Sequence, residues 1–148
     1  MRSAFTMIEI VFAIAIIGIL TTVAIPKLAA SRGDAKISAL AKNVSVAMSE
    51  ISAYAVSKKS LAPRFETMSH AASGMMQRGE ATQSGKSLLV KMNTVNDCLI
   101  VDINTTESSV GLKLEYGDPQ GDEMCERLQN VVDLKGYSIA LFGQRVRY

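Results

Sequence analysis

The chain has 148 residues, which suits one compact domain plus an anchor and is too short for two full domains. Its formal net charge of +2, from 16 Lys and Arg against 14 Asp and Glu, is too close to neutral to argue for nucleic acid or acidic substrates as partners. Tryptophan is absent and aromatic residues make up only 5%, which argues against a site built on base or sugar stacking.

The first element is an apolar run from Phe5 to Ile25, in which Glu9 is the only charged residue. As a helix it would span roughly 30 Å, the thickness of a bilayer core. Three readings fit such a run. One is a secretory signal peptide ending at Thr22-Val23-Ala24, with cleavage after Ala24 releasing a soluble exported binding protein. Another is a plain membrane anchor. The third is an anchor that is cut before the apolar run begins.

Glu9 favours the third. A carboxylate inside an apolar membrane helix costs about 2.5–3.5 kcal/mol on insertion scales, and neither a signal peptide nor a plain anchor gains from it. Such a residue needs a positive partner at the same depth. Cleavage between Ala4 and Phe5 would give Phe5 a free α-amino group, largely protonated at neutral pH. That amine cannot easily reach the Glu9 of its own continuous helix. It can reach the Glu9 of a neighbouring chain displaced along the axis, which makes the pair a docking device between subunits.

The segment Ala4-Phe5-Thr6-Met7-Ile8-Glu9-Ile10 resembles the prepilin signature of type IV pilins and type II secretion pseudopilins. The resemblance extends to Gly18 and Pro26 and covers about a fifth of the chain. It implies that a prepilin peptidase cuts after Ala4 and N-methylates Phe5, and that Glu9 is the assembly carboxylate. It implies a bacterial inner-membrane subunit, single-pass with its C-terminus in the periplasm. That subunit would be passed by an assembly platform into a filament of itself and other pilin-like subunits. Gly18 and Pro26 would mark a stretch of helix that loosens on packing, since Pro26 removes a helical hydrogen bond and glycine is a weak helix former. The family usually has Gly before the cut. Ala4 is still small enough for a peptidase pocket, with slower processing expected. The implied organisation is a leader at 1–4, an assembly helix at 5–26 and an exported pilin-like domain at 27–148.

Beyond the run, the helical pattern continues from Lys27 to about Val56. Ile37, Leu40, Val44, Met48 and Ile51 recur at spacings of three and four, one face of an amphipathic helix that packs on the domain's own sheet. Leu28–Ala35 would face other subunits. Lys58-Lys59-Ser60 and Pro63 mark a break. Arg64–Gln77 reads as one short helix and Gly79–Lys86 as a polar loop. Strands are predicted at Ser87–Asn93, Asp97–Thr105, Gly111–Tyr116 and Tyr137–Val146. Asp118-Pro119-Gln120-Gly121 is a turn, and Asp122–Val132 a short helix. The fold class is therefore α+β, a long N-terminal helix on a small antiparallel sheet, which is also the arrangement the pilin resemblance implies.

Cys98 and Cys125 would pair as a disulfide if this part of the chain is exported and would be two free thiols in the cytosol. The resemblance places them outside the cytoplasm, hence bridged. No cofactor is expected. Asp118, Asp122 and Glu123 are weak calcium candidates near a glycine turn, but their spacing matches no defined calcium loop. His70, the single histidine, joins no catalytic arrangement, so the chain is not expected to be an enzyme. Gly79 and Gly85-Lys86-Ser87 miss the phosphate-loop spacing by one residue. Asn43-Val44-Ser45 and Asn104-Thr105-Thr106 fit a glycosylation triplet that is common by chance. Lys135, Arg145 and Arg147 would bear on DNA only in a competence filament, and they read more simply as charges guarding an edge strand. A chain this short without long loops leans towards a pseudopilin serving protein secretion or DNA uptake.

Overall fold

A computed structural model of the chain describes residues 6–105, 110–134 and 139–142, and leaves the side chains of 23–31 and 142 outside that description. The chain divides into two compact units, Met1–Lys36 and Ile37–Tyr148. Helix α1 (Met7–Lys58) contributes to both, and its backbone is helical through Gly18, Pro26 and Gly33.

From Met7 to Leu20, in the first unit, α1 is apolar on every side apart from Glu9. Met7, Ile8, Phe12, Ile17, Ile19 and Leu20 are all exposed, Ile8 and Ile19 at 72% and 70%. Among the described residues no helix is long and apolar enough to cross a membrane. The described side chains of the apolar run stop at Thr22, short of Ile25 and Pro26.

The second unit is α+β. After α1 come α2 (Phe65–Met68), α3 (His70–Gln77), β1 (Ala81–Ser84), β2 (Ser87–Met92), β3 (Val95–Thr105), β4 (Val110–Tyr116), α4 (Glu123–Val131) and β5 (Ile139–Phe142). The five strands form one antiparallel sheet in sequence order. In β2 and β4 alternate residues are buried, Leu88, Val90 and Met92 in one and Val110, Leu112 and Leu114 in the other. That period of two turns one face of the sheet to the core and leaves the other wet.

The α1 stripe supplies its share of the core. Ile37, Leu40, Val44, Met48 and Ile51 are all buried in one cluster with Phe65, Met75, Leu99 and Leu128. Each such side chain, fully buried, contributes about 1.5–3 kcal/mol of transfer free energy. The core therefore closes within the second unit and begins at Ile37.

Two expectations are corrected. Gly79–Lys86 is not a loop throughout, because Ala81–Ser84 forms strand β1, paired from Ala81↔Val90 to Ser84↔Ser87. Only Ala81 of its four residues is buried, so a polar edge strand looks like a loop in sequence. The β1–β2 turn is Gly85-Lys86, with Gly85 at φ +59° supplying the left-handed residue that a two-residue hairpin needs. Nor is Arg64–Gln77 one helix. It breaks at Ser69, whose extended backbone caps α3 as its hydroxyl accepts from the Ala72 N–H at 2.9 Å.

Cys98 on β3 and Cys125 on α4 form a disulfide with a Cα–Cα distance of 5.7 Å. Asp122 caps α4, one carboxylate oxygen accepting from the Cys125 N–H at 3.0 Å. The Gln129 side-chain amide donates to the carbonyls of Cys98 and Gly117, both at 2.9 Å. Gly117 has no room for a side chain, because a Cβ there would lie 1.6 Å from the Asp97 carbonyl oxygen. Tyr137, Val146 and the basic residues Lys135, Arg145 and Arg147 lie outside the described residues.

Candidate functional site

The candidate site is the head of α1. Thr6 precedes the first helical residue and Glu9 stands three positions on, the spacing at which a carboxylate folds back onto the start of a helix. The Thr6 backbone N–H donates to Glu9 Oε2 at 2.8 Å, and the Thr6 hydroxyl donates to the same oxygen at 2.7 Å. The carboxylate thus satisfies an orphan donor of the helix and sits at the positive end of its dipole. Within one chain Glu9 already has a partner, Thr6. The sequence carries the signal for it in the Thr-x-x-Glu pattern.

From Ile10 to Leu20 the helix offers only apolar side chains and Gly18, exposed on all faces. A helix apolar all round is one that something else covers. Gly18 fits this picture. A Cβ added there would meet nothing within 4 Å, so no packing inside the described chain requires the glycine. Thr21 and Thr22 turn their hydroxyls back onto the helix, donating to the carbonyls of Ile17 at 2.6 Å and Ile19 at 2.8 Å. This hides both hydroxyls from an apolar medium and favours a slight bend. Ala4 and Phe5 lie outside the described residues, and of Pro26 only the backbone, within α1, is described.

Comparison of the chain with protein-family models, with curated proteins and with solved structures returns no match.

The remaining sequence candidates do not gather into a second centre. Asp118 uses its carboxylate on its own turn, accepting from the Gln120 N–H at 2.9 Å. Asp122 accepts at its second oxygen from the Asn93 amide at 2.6 Å and the Thr94 hydroxyl at 3.2 Å. The Asn93 bond and then the Cys125 N–H hold its carboxyl below the usual range. Glu123 is exposed in the first turn of α4. Among the described residues no group of three or more His, Cys, Asp or Glu side chains is placed to hold a metal ion.

His70 is exposed at the start of α3. Beside it lies a contact that spacing alone does not reveal. Glu50 Oε2, on α1, accepts from the Ser69 hydroxyl at 2.6 Å and from the Ala71 N–H at 3.0 Å. The Ala71 amide first, then the Ser69 hydroxyl, lower the Glu50 pKa against the opposing effect of burial, and the His70 charge lowers it further. This clamp fixes α3 to α1 and is structural.

Proposed function

We propose that this chain is a structural subunit of a type IV pilus-like filament or pseudopilus, working in protein secretion or DNA uptake by assembly rather than catalysis. The observation that carries the reading is a helix exposed and apolar on every side, with one carboxylate near its head, in a chain whose 37–148 unit already has a complete core. Such a helix has no use in an isolated subunit. Packed against its equivalents it would bury its whole surface, first in the inner membrane and then in the filament.

On this reading a prepilin peptidase removes Met1–Ala4 and leaves an N-methylated amine on Phe5. The amine pairs with the Glu9 of a neighbour and sets the axial register. The Thr6–Glu9 contact supports the scheme, because it keeps the carboxylate hydrogen-bonded before a partner arrives. Assembly then exchanges a local cap for an ion pair in an apolar surrounding. There an unpaired Glu9 would be strongly unfavourable, so out-of-register neighbours are rejected.

The test is Glu9→Ala in the native host, with filament assembly read by cysteine crosslinking between adjacent chains. The variant should enter the membrane at wild-type level and yield no crosslinked ladder. A wild-type ladder from Glu9→Ala would remove Glu9 from assembly and sink the proposal.

A further inference from the structure

A pocket of about 310 Å³ lies in the second unit, between the segment that follows α1 and the β1–β2 turn. Its floor is made of Phe65, Met68 and Ile103, all buried. Leu61, Ala62 and Pro63 form one wall. The volume is at the lower end of the range for small-molecule sites, about 300–1,000 Å³.

The walls are held in place. The Gln83 side-chain amide donates to the carbonyls of Pro63 at 2.8 Å and Gly85 at 3.0 Å, while its oxygen accepts from the Phe65 N–H at 3.0 Å. One side chain thus ties both lips together, and the cavity does not need a ligand to form it. The same bonds weigh against a peptide as occupant. Main-chain recognition needs free backbone donors and acceptors. Here the Pro63 and Gly85 carbonyls and the Phe65 N–H are engaged by Gln83, and the Lys86 carbonyl by the Ile103 N–H at 3.1 Å.

Among the described lining residues, one carries a charge, Lys86. The Lys86 ammonium donates to the Thr105 hydroxyl at 2.8 Å. An ammonium has three donors, and among the described residues this bond uses one of them. Lys86 takes no part in the ion pairs Arg64–Glu66, Arg78–Glu80 and Lys113–Glu115.

We propose that this pocket binds a medium-chain fatty carboxylate, with the acyl chain on Phe65, Met68 and Ile103 and the carboxylate on Lys86 and Thr105. An apolar body with a single anionic end is the chemistry that a closed apolar floor and one cation at the lip select. The Thr105 hydroxyl, already accepting from Lys86, donates its own proton to the second carboxylate oxygen. The proposal stands apart from the filament reading.

The full-length chain in lipid nanodiscs, with methyl-labelled Met and Ile, provides the test. Octanoate, hexanoate, 1-octanol and a neutral apolar tripeptide amide are titrated in turn against the Met68 and Ile103 methyl signals. Octanoate should shift both saturably and bind about tenfold more tightly than 1-octanol, the difference of one charge-assisted contact. Each methylene from hexanoate to octanoate should tighten binding about fourfold. Lys86→Met should bring octanoate and octanol to equal affinity, and Ala62→Phe, which fills the cavity, should abolish both. Absence of saturable shifts with either carboxylate would overturn the proposal. So would a carboxylate preference that survives Lys86→Met, or tighter binding of the tripeptide amide than of octanoate.

Discussion

The Glu50 clamp gives the sharpest test of the fold. Its carboxylate accepts two hydrogen bonds from the start of α3, and one donor, Ser69, is only 3% exposed. Glu50→Ala removes both bonds and strands the Ser69 hydroxyl. Hydrogen bonds to a charged group contribute about 1.5–3 kcal/mol when buried, and this one is partly open to solvent, so the loss should be about 2 kcal/mol. Glu50→Gln keeps an acceptor of the same shape and loses only the charge, at a cost of about 1 kcal/mol. Because the folded-state pKa is lowered, this stability is complete above the ordinary carboxylate pKa and is lost as pH falls through the lowered folded value. Amide hydrogen exchange at Ala71 and Ala72 in the full chain reads the clamp directly. At neutral pH, exchange should speed up about thirtyfold in Glu50→Ala and about fivefold in Glu50→Gln, as 1.36 kcal/mol is a factor of ten. Below the folded pKa the wild type and Glu50→Gln should converge. A gap of the same size on both sides of that pKa would refute the argument, since the charge would then contribute nothing.

Other consequences concern the rest of the second unit. Cys98→Ser with Cys125→Ser opens a loop with a sequence separation of 27, which the chain-entropy relation values at about 3.5 kcal/mol. The urea midpoint should fall accordingly, with far-UV circular dichroism retaining the native helix and strand content at zero denaturant. Gly117→Ala forces a Cβ into the Asp97 carbonyl and should lower stability by more than 2 kcal/mol, whereas Gly18→Ala, where the space is open, should leave thermal unfolding of the second unit unchanged. A fragment of residues 37–148 keeps the whole buried cluster and should unfold cooperatively as a soluble monomer. Sedimentation and a urea melt would check this, and a molten or aggregated fragment would show that the core does not close at Ile37.

Much of this architecture can be read from spacing alone, where local pattern and tertiary burial agree. The stripe from Ile37 to Ile51 and the alternation through Leu112 and Leu114 are of that kind, because a buried face enforces its own period. The positions of Cys98 on a strand and Cys125 on a helix follow from the same patterns, but their pairing needs the compartment as well. Strand β1 is not legible, because an edge strand with one buried residue carries almost no alternation. The Ser69 cap that ends one helix and starts the next is also held by Glu50, 19 residues away, which no local window contains. The head of α1 is the opposite case. Glu9 stands out as a charge in an apolar run, and its Thr6 partner is written in the sequence at capping-box spacing. The Lys86 pocket is assembled from three segments far apart in the chain and becomes visible only in the fold.

The central claim is that the chain is cut before Phe5 and keeps its apolar helix for assembly. Intact mass and N-terminal sequencing of the protein taken from membranes of its native host test that claim most directly. The expected mature chain begins at N-methylated Phe5 and contains Glu9. A chain beginning at Ile25 would contradict it, because the whole apolar helix and its carboxylate would have been discarded as a signal peptide.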